Sequence, residues 1–114
     1  MDKQQSKEVK AGDISADNLL VKNKNDDIDD TFCYQLFEEN YFDTDKLQHL
    51  INFVSAKELD RNEADILQWI IEGVDNCFIY HHDDNDYYRI TNYSNTIEDA
   101  WNNHWRAELT ASLS

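Results

Sequence analysis

The chain contains no proline, and its two glycines are Gly12 and Gly73. Residues 26–114 therefore hold a single residue that readily breaks a helix, which favours helices joined by Asn- and Asp-rich turns. Two glycines also exclude a glycine-rich phosphate loop, and neither HExxH nor CxxC occurs. Asn25, Asp27 and Asp29, like Asp83, Asn85 and Tyr87, lack the sixth-position Gly and twelfth-position Glu of a calcium loop. Cysteine is scarce too. Cys33 and Cys77 follow a start, MDKQQSKEVK, without an apolar signal region, so they are expected to be reduced, buried thiols of a cytoplasmic protein. Apolar runs such as CFIY are far too short to span a bilayer.

Positive charge is the other scarcity. Ten Lys and Arg face 24 Asp and Glu, a formal net charge of −14. Residues 1–25 carry five lysines against four carboxylates, a net of +1; residues 26–114 carry the other 20 acids and five bases, a net of −15. No aromatic residue precedes Phe32. The composition break near Asn25 divides a flexible polar arm, 1–25, from an acidic helical domain, 26–114. Within the arm, Leu19, Leu20 and Val21 form the one apolar cluster, and residues 18–21 are candidates for docking on the body.

Hydrophobic periodicity predicts a mainly α domain of four to five helices. The first helix is expected over about 29–40, with Phe32, Cys33, Leu36, Phe37 and Tyr41 inward. The second follows Thr44 as N-cap and turns Leu47, Leu50, Ile51 and Val54 inward. The third begins near Asn62, which with Asp65 resembles a capping box; it buries Ile66, Leu67, Ile70, Ile71 and Val74, with Trp69 flanking. The last follows Thr96, with Ile97, Ala100, Trp101 and Trp105 as its stripe. The stretch CFIYHHDDNDYYRITNY has two readings. In one, the third helix stops near Ile79 and a new helix starts at Asp83, its carboxylates at the positive helix end. In the other, a hairpin over 77–91 makes the domain α+β.

No catalytic or cofactor site is expected. Cys77 and His81 are four residues apart and would share a helix face beside His82, but further zinc ligands would have to come from distant residues such as His49 or His104. A buried thiol beside surface histidines is the simpler reading. The carboxylates are so numerous that pairing carries no catalytic signal, and a general acid needs the raised pKa that burial supplies. Trp69, Trp101 and Trp105 read as core, whereas Tyr34, Tyr87 or Tyr88 among carboxylates would suit an interface anchor.

The acids are what remains to be explained. The stretch NKNDDIDDTFCYQLFEENYFDTD holds Asp26, Asp27, Asp29, Asp30, Glu38, Glu39, Asp43 and Asp45 among six bulky apolar or aromatic residues, so it reads as folded rather than as a disordered acidic tail. Asp65, Glu72 and Asp75 mark a second face, and Asp83, Asp84 and Asp86 a third cluster. Asp26 and Asp30 would be i, i+4 neighbours if the first helix reached back that far, and Glu58, Asp65 and Glu72 are spaced by seven. A charge of about 2–8 serves solubility in a small domain, and −15 exceeds it at a cost in self-repulsion. DNA presents one charge per ~1.7 Å of axis, which carboxylates on a rigid body can imitate.

In size, acidity, helicity and low cysteine count, residues 26–114 resemble the phage-encoded DNA-mimic proteins that block host defences. The resemblance implies an inhibitor that acts as a homodimer in the host cytoplasm. Its partner would be a basic nucleic-acid-binding protein such as a restriction enzyme, a nuclease or a CRISPR effector, with no direct contact to nucleic acid or membrane. The alternatives are an immunity protein that neutralises a cognate nuclease toxin, and an acidic adaptor.

Overall fold

The computed structural model describes residues 18–114; of the flexible arm expected over 1–25, residues 1–17 lie outside the described residues. All regular structure among the described residues is helical: α1 (Leu19–Lys24), α2 (Phe32–Glu38), α3 (Thr44–Ser55), α4 (Arg61–His82), α5 (Asn95–Ala100) and α6 (Arg106–Ala111), with a π-helical segment, Trp101–Trp105, fusing α5 to α6. The result is an all-α domain of five helices, the last a merged one.

The 22-residue α4, about 33 Å long at 1.5 Å per residue, is the axis around which α1, α2 and α6 pack, while α3 packs on α6. Its stripe, Ile66, Leu67, Ile70, Ile71, Val74, Cys77 and Phe78, is buried as the spacing predicts. So are Leu47, Leu50, Ile51 and Val54 of α3. Residues N-terminal to the composition break also belong to the packed body: Leu20 of α1 is fully buried, and the Asn23 side chain takes the Cys33 backbone N–H at 2.9 Å. Both cysteines are buried and free.

Helix starts differ from the sequence reading by one to three residues. Asp43, not Thr44, caps α3, its Oδ1 accepting from the N–H groups of Asp45 and Lys46. Ser94, not Thr96, caps α5 through the Ile97 N–H. The capping box of α4 is Asp60 with Glu63, not Asn62 with Asp65, so the reciprocal position is the Glu that such a box favours. α2 starts at Phe32, capped by Thr31; Asp26 and Asp30 therefore lie in the preceding loop and are not helical i, i+4 neighbours. α2 ends where Asn40 takes a left-handed φ of 61°, a conformation Asn tolerates.

Neither reading of 77–91 matches in full. Residues 77–82 continue α4, and no helix starts at Asp83, which is the C-cap. Asp83 Oδ1 accepts from the Asn85 N–H and Asp86 Oδ1 from the Tyr88 N–H; these local turns compete with a helix for the same donors. The Arg89 guanidinium donates to the carbonyls of Tyr80, Asp83, Asp86 and Tyr88, which neutralises the carbonyl end of α4. The segment beyond pairs with the turn after α2 instead of with α4. The Thr91 N–H donates to the Asn40 carbonyl at 2.7 Å, and the Asn92 amide bridges the Phe42 N–H and C=O at 2.9 and 2.8 Å. This clasp seats Phe42 in the core against Phe32, Phe78 and Trp105.

Gly73 marks a close approach. A Cβ there would lie 2.6 Å from Phe37 Cζ. Overpacking costs about 1–3 kcal/mol, against a helix-propensity gain of about 1 kcal/mol. Gly73→Ala is therefore expected to lower the urea unfolding free energy by about 1 kcal/mol; a stabilised variant would contradict the close packing.

Candidate functional site

The acidic residues fall into separate surface groups. Asp26, Asp27, Asp29 and Asp30 are exposed in the loop between α1 and α2, and Glu38 and Glu39 at the end of α2. The fold brings the first two groups together: Asp26 and Glu38 line one cleft with Tyr34, Phe37 and Trp69. Asp65 and Glu72 are exposed on α4 two turns apart, about 10.5 Å at helical rise, while Glu58 precedes the helix. Asp45 is exposed at the start of α3. Asp83, Asp84 and Asp86 lie past the far end of α4, about 27 Å along the axis from Asp65 at helical rise, so the acids do not form one patch.

Some of these carboxylates also serve the fold. Asp43, Asp83 and Asp86 cap or close turns, as described above. Asp75, half-buried, is committed to the C-terminal helix: it accepts from the Trp101 indole at 2.8 Å and from Arg106 Nε at 3.1 and 3.0 Å, and Arg106 Nη2 lies 2.9 Å away. The pairing pushes the Arg106 pKa up. The π-helical segment makes this possible. Its Arg106 N–H bonds to the Trp101 carbonyl, an i→i+5 pattern that places residues five apart over one another, and so both reach one carboxylate.

Five of the seven described Lys and Arg residues are engaged elsewhere. Lys57 pairs with buried Glu63 at 2.5 Å and Arg106 with Asp75. Lys46 donates to the Asp30 carbonyl rather than to a carboxylate, and Arg89 to carbonyls only. The Lys24 ammonium stands 3.9 Å over the Trp69 ring. Among the described residues, no ion pair reaches Asp26, Asp27, Asp29, Asp30, Glu38, Glu39, Asp45, Asp65 or Glu72.

Two networks were not anticipated from the sequence. Glu63 is 4 % exposed and receives the Asp60 N–H at 2.9 Å, the Asn18 amide at 2.7 Å and Lys57. Burial raises its pKa, but these donors outweigh burial and hold the group below its ordinary 4.5. The capping-box spacing from Asp60 was the signal available for it. At the other end of α4, Glu98 accepts from Tyr93 OH at 2.5 Å and lies 2.9 Å from His82 Nε2. Donating its proton to Glu98 pushes the Tyr93 phenol up to about 12, which keeps it a protonated phenol and a hydrogen-bond donor near neutrality.

His81 stacks on Tyr93 at 4.2 Å, and its Nδ1 accepts the Ile90 N–H at 3.0 Å. That bond requires neutral imidazole. Burial first, then His82 and Arg89, lower the His81 pKa from 6.5. The stabilisation is therefore fully present above pH 6.5 and is lost as pH falls through the folded-state value. The urea midpoint should fall on moving from pH 7.5 to 5.0, and His81→Ala should be less stable at pH 7.5 but lack much of that fall. A pH slope unchanged in the variant would remove His81 from this role.

Among the described residues no group of three or more His, Cys, Asp or Glu is placed to hold a metal. Cys77 is buried, its thiol pushed up to about 11 by desolvation, and His81 spends one ring nitrogen on the backbone. No described helix is long and apolar enough to cross a membrane. Of the tryptophans, Trp101 is fully buried, while Trp69 and Trp105 are partly buried against the core. Tyr87 is fully exposed beside Asp86. No protein-family model matches the chain, and neither the curated proteins nor the solved structures yield a match to it.

Proposed function

We propose that the protein is a non-enzymatic, cytoplasmic acidic inhibitor that occupies the nucleic-acid-binding surface of a basic protein, as a DNA mimic directed against a host defence protein would. The observation that supports this reading is the placement of the cations. Five of the seven described Lys and Arg residues are engaged on carbonyls, on an indole and on Glu63 and Asp75, carboxylates that already serve the fold, while the outer carboxylates stand exposed. A surface built only for solubility has no reason to leave that imbalance, which costs stability through self-repulsion. A folded acidic face also avoids the ordering cost that a disordered tail meets on binding.

The test is a binding experiment with the basic protein captured from host lysate. Reversing Asp26, Asp27, Asp29 and Asp30 to Lys should weaken the complex at least tenfold, about 1.4 kcal/mol, and the fold should survive because all four are exposed loop residues. Reversing Asp65 and Glu72 tests α4 separately. Affinity should fall with salt, chiefly through slower association, and DNA should compete. A complex that ignores salt, tolerates both reversals and coexists with DNA on the partner would sink the reading. Exposed Tyr87 and Ile79 favour a second reading, a toxin-immunity protein, in which aromatic and aliphatic anchors fit one partner closely. Tyr87→Ala would then cost more affinity than any charge reversal.

A further inference from the structure

α2 and α4 do not close against each other along their whole length. A groove of about 260 Å³ separates them, walled by Phe37, Trp69, Tyr80 and Tyr88 and floored by Gly73 and Cys77. It is continuous through Phe37 and Trp69 with the cleft that Asp26 and Glu38 line. Glu72, one turn on from Trp69, is exposed on α4 but lines neither. The walls are aromatic and ordered: Phe37 meets Trp69 edge-on at 5.5 Å, Tyr80 meets Tyr88 at 6.5 Å, and Tyr88 OH is anchored on the Leu36 carbonyl.

The chemistry of this groove selects an occupant. Its volume lies below the range usual for small-molecule pockets, about 300–1,000 Å³, and suits one long side chain. Aromatic faces attract cations, Arg most often, and the adjoining cleft carries Asp26 and Glu38. The Trp69 face already carries an ammonium, that of Lys24. A guanidinium adds what an ammonium lacks: a plane that stacks on an aromatic ring and a fork that meets a carboxylate bidentately. Aliphatic carbons of the same side chain would cover the apolar floor.

We propose that this groove and the cleft it adjoins are the docking site for an arginine carried by a basic segment of the partner protein, its aliphatic carbons in the groove and its guanidinium stacking on Trp69 on the cleft side, in place of Lys24 and toward the carboxylates of Asp26 and Glu38. The proposal deepens the inhibitor reading and rests on it: the dispersed acids would steer the partner, and this groove would hold it.

The full chain titrated with nona-arginine and nona-lysine peptides at 150 mM salt, followed by Trp69 amide and indole NMR shifts, tests it. Expected are saturable shifts centred on Trp69 and Tyr80, with nona-arginine bound at least fivefold tighter than nona-lysine. Tyr80→Ser, at a rim position 43 % exposed, should weaken nona-arginine at least fivefold without unfolding the protein, and Trp69→Leu should do so more strongly. Lys24→Ala should tighten binding several-fold by removing the competing ammonium. Lys22→Ala makes the same change in net charge away from the groove and should have little effect. Binding that is indifferent to Tyr80→Ser and Trp69→Leu, with Lys22→Ala equal to Lys24→Ala, would overturn the groove while leaving a diffuse acidic interface intact. No binding of either peptide at 20 mM salt would overturn the inhibitor reading as well.

Discussion

Trp101→Ala is expected to lower the unfolding free energy by about 3–5 kcal/mol, the range for removing a buried Trp or Phe side chain. Trp101 is the largest of the fully buried side chains. It sits at the start of the π-helical segment, and its indole N–H is one of the donors that fix Asp75. Alanine would leave a cavity between the C-terminal helix and α4, and Asp75 would keep only Arg106. That remaining pair is well exposed, 44 % and 32 % for the two side chains, so it contributes about 1 kcal/mol or less. Trp101→Phe keeps most of the ring and loses the hydrogen bond, for an expected cost of about 1–2 kcal/mol. Small domains have about 5–15 kcal/mol in total, so the alanine variant should be partly unfolded at 37 °C. Urea titrations followed by far-ultraviolet circular dichroism measure both. An alanine variant within 1 kcal/mol of the parent would mean that the C-terminal helix does not pack as described.

Glu63→Ala is expected to cost about 2–4 kcal/mol near neutral pH, given charge-assisted hydrogen bonds at about 1.5–3 kcal/mol each and partial compensation by water. One carboxylate closes the capping box of α4 and, through the Asn18 amide, holds the N-cap residue of α1. Its loss should therefore loosen α1 first, seen as faster amide exchange over residues 19–24. The pH dependence carries a sign. The folded-state pKa lies below the ordinary 4.5, so the carboxylate's contribution is fully present above pH 4.5 and is lost as pH falls through the folded value. The stability gap between the parent and Glu63→Gln should accordingly narrow from pH 7 to pH 3. A gap that stays constant over that range would show that the charge of Glu63 plays no part in the bond network.

What the sequence determined by itself is the set of buried stripes and the helical class. Leu47, Leu50, Ile51 and Val54 recur at helical spacing, as do Ile66 to Val74, and no proline interrupts either run, so the local pattern alone marks these helices and the faces they bury. The imbalance of charge is equally local information. Helix starts were legible only to within a few residues. Asp43 and Thr44, or Ser94 and Thr96, are each able to cap, and the choice depends on which oxygen the folded backbone offers to which N–H. Inclusion of residues 18–25 in the body depended on partners far along the chain: Glu63 for Asn18, Cys33 for Asn23 and Trp69 for Lys24.

The tertiary structure alone decided the rest, because each remaining feature joins residues too distant for periodicity to register. The segment from Arg89 to Asn92 pairs with residues 40–42, some fifty positions earlier, so its own pattern could be read as helix or hairpin and was neither. The π-helical segment exists where Trp101 and Arg106 converge on Asp75, a contact across 26 and 31 positions. By sequence Asp75 looks like any other carboxylate of a polar helix face; that contact ties it to the C-terminal helix. Phe37 and Trp69 each fit an amphipathic stripe; only the crossing of α2 over α4 at Gly73 sets their rings edge to face and leaves an aromatic groove beside a cleft that carries Asp26 and Glu38. Hydrophobic spacing encodes which side of a helix is buried, and long-range hydrogen bonds and ring contacts encode where two buried sides fail to meet.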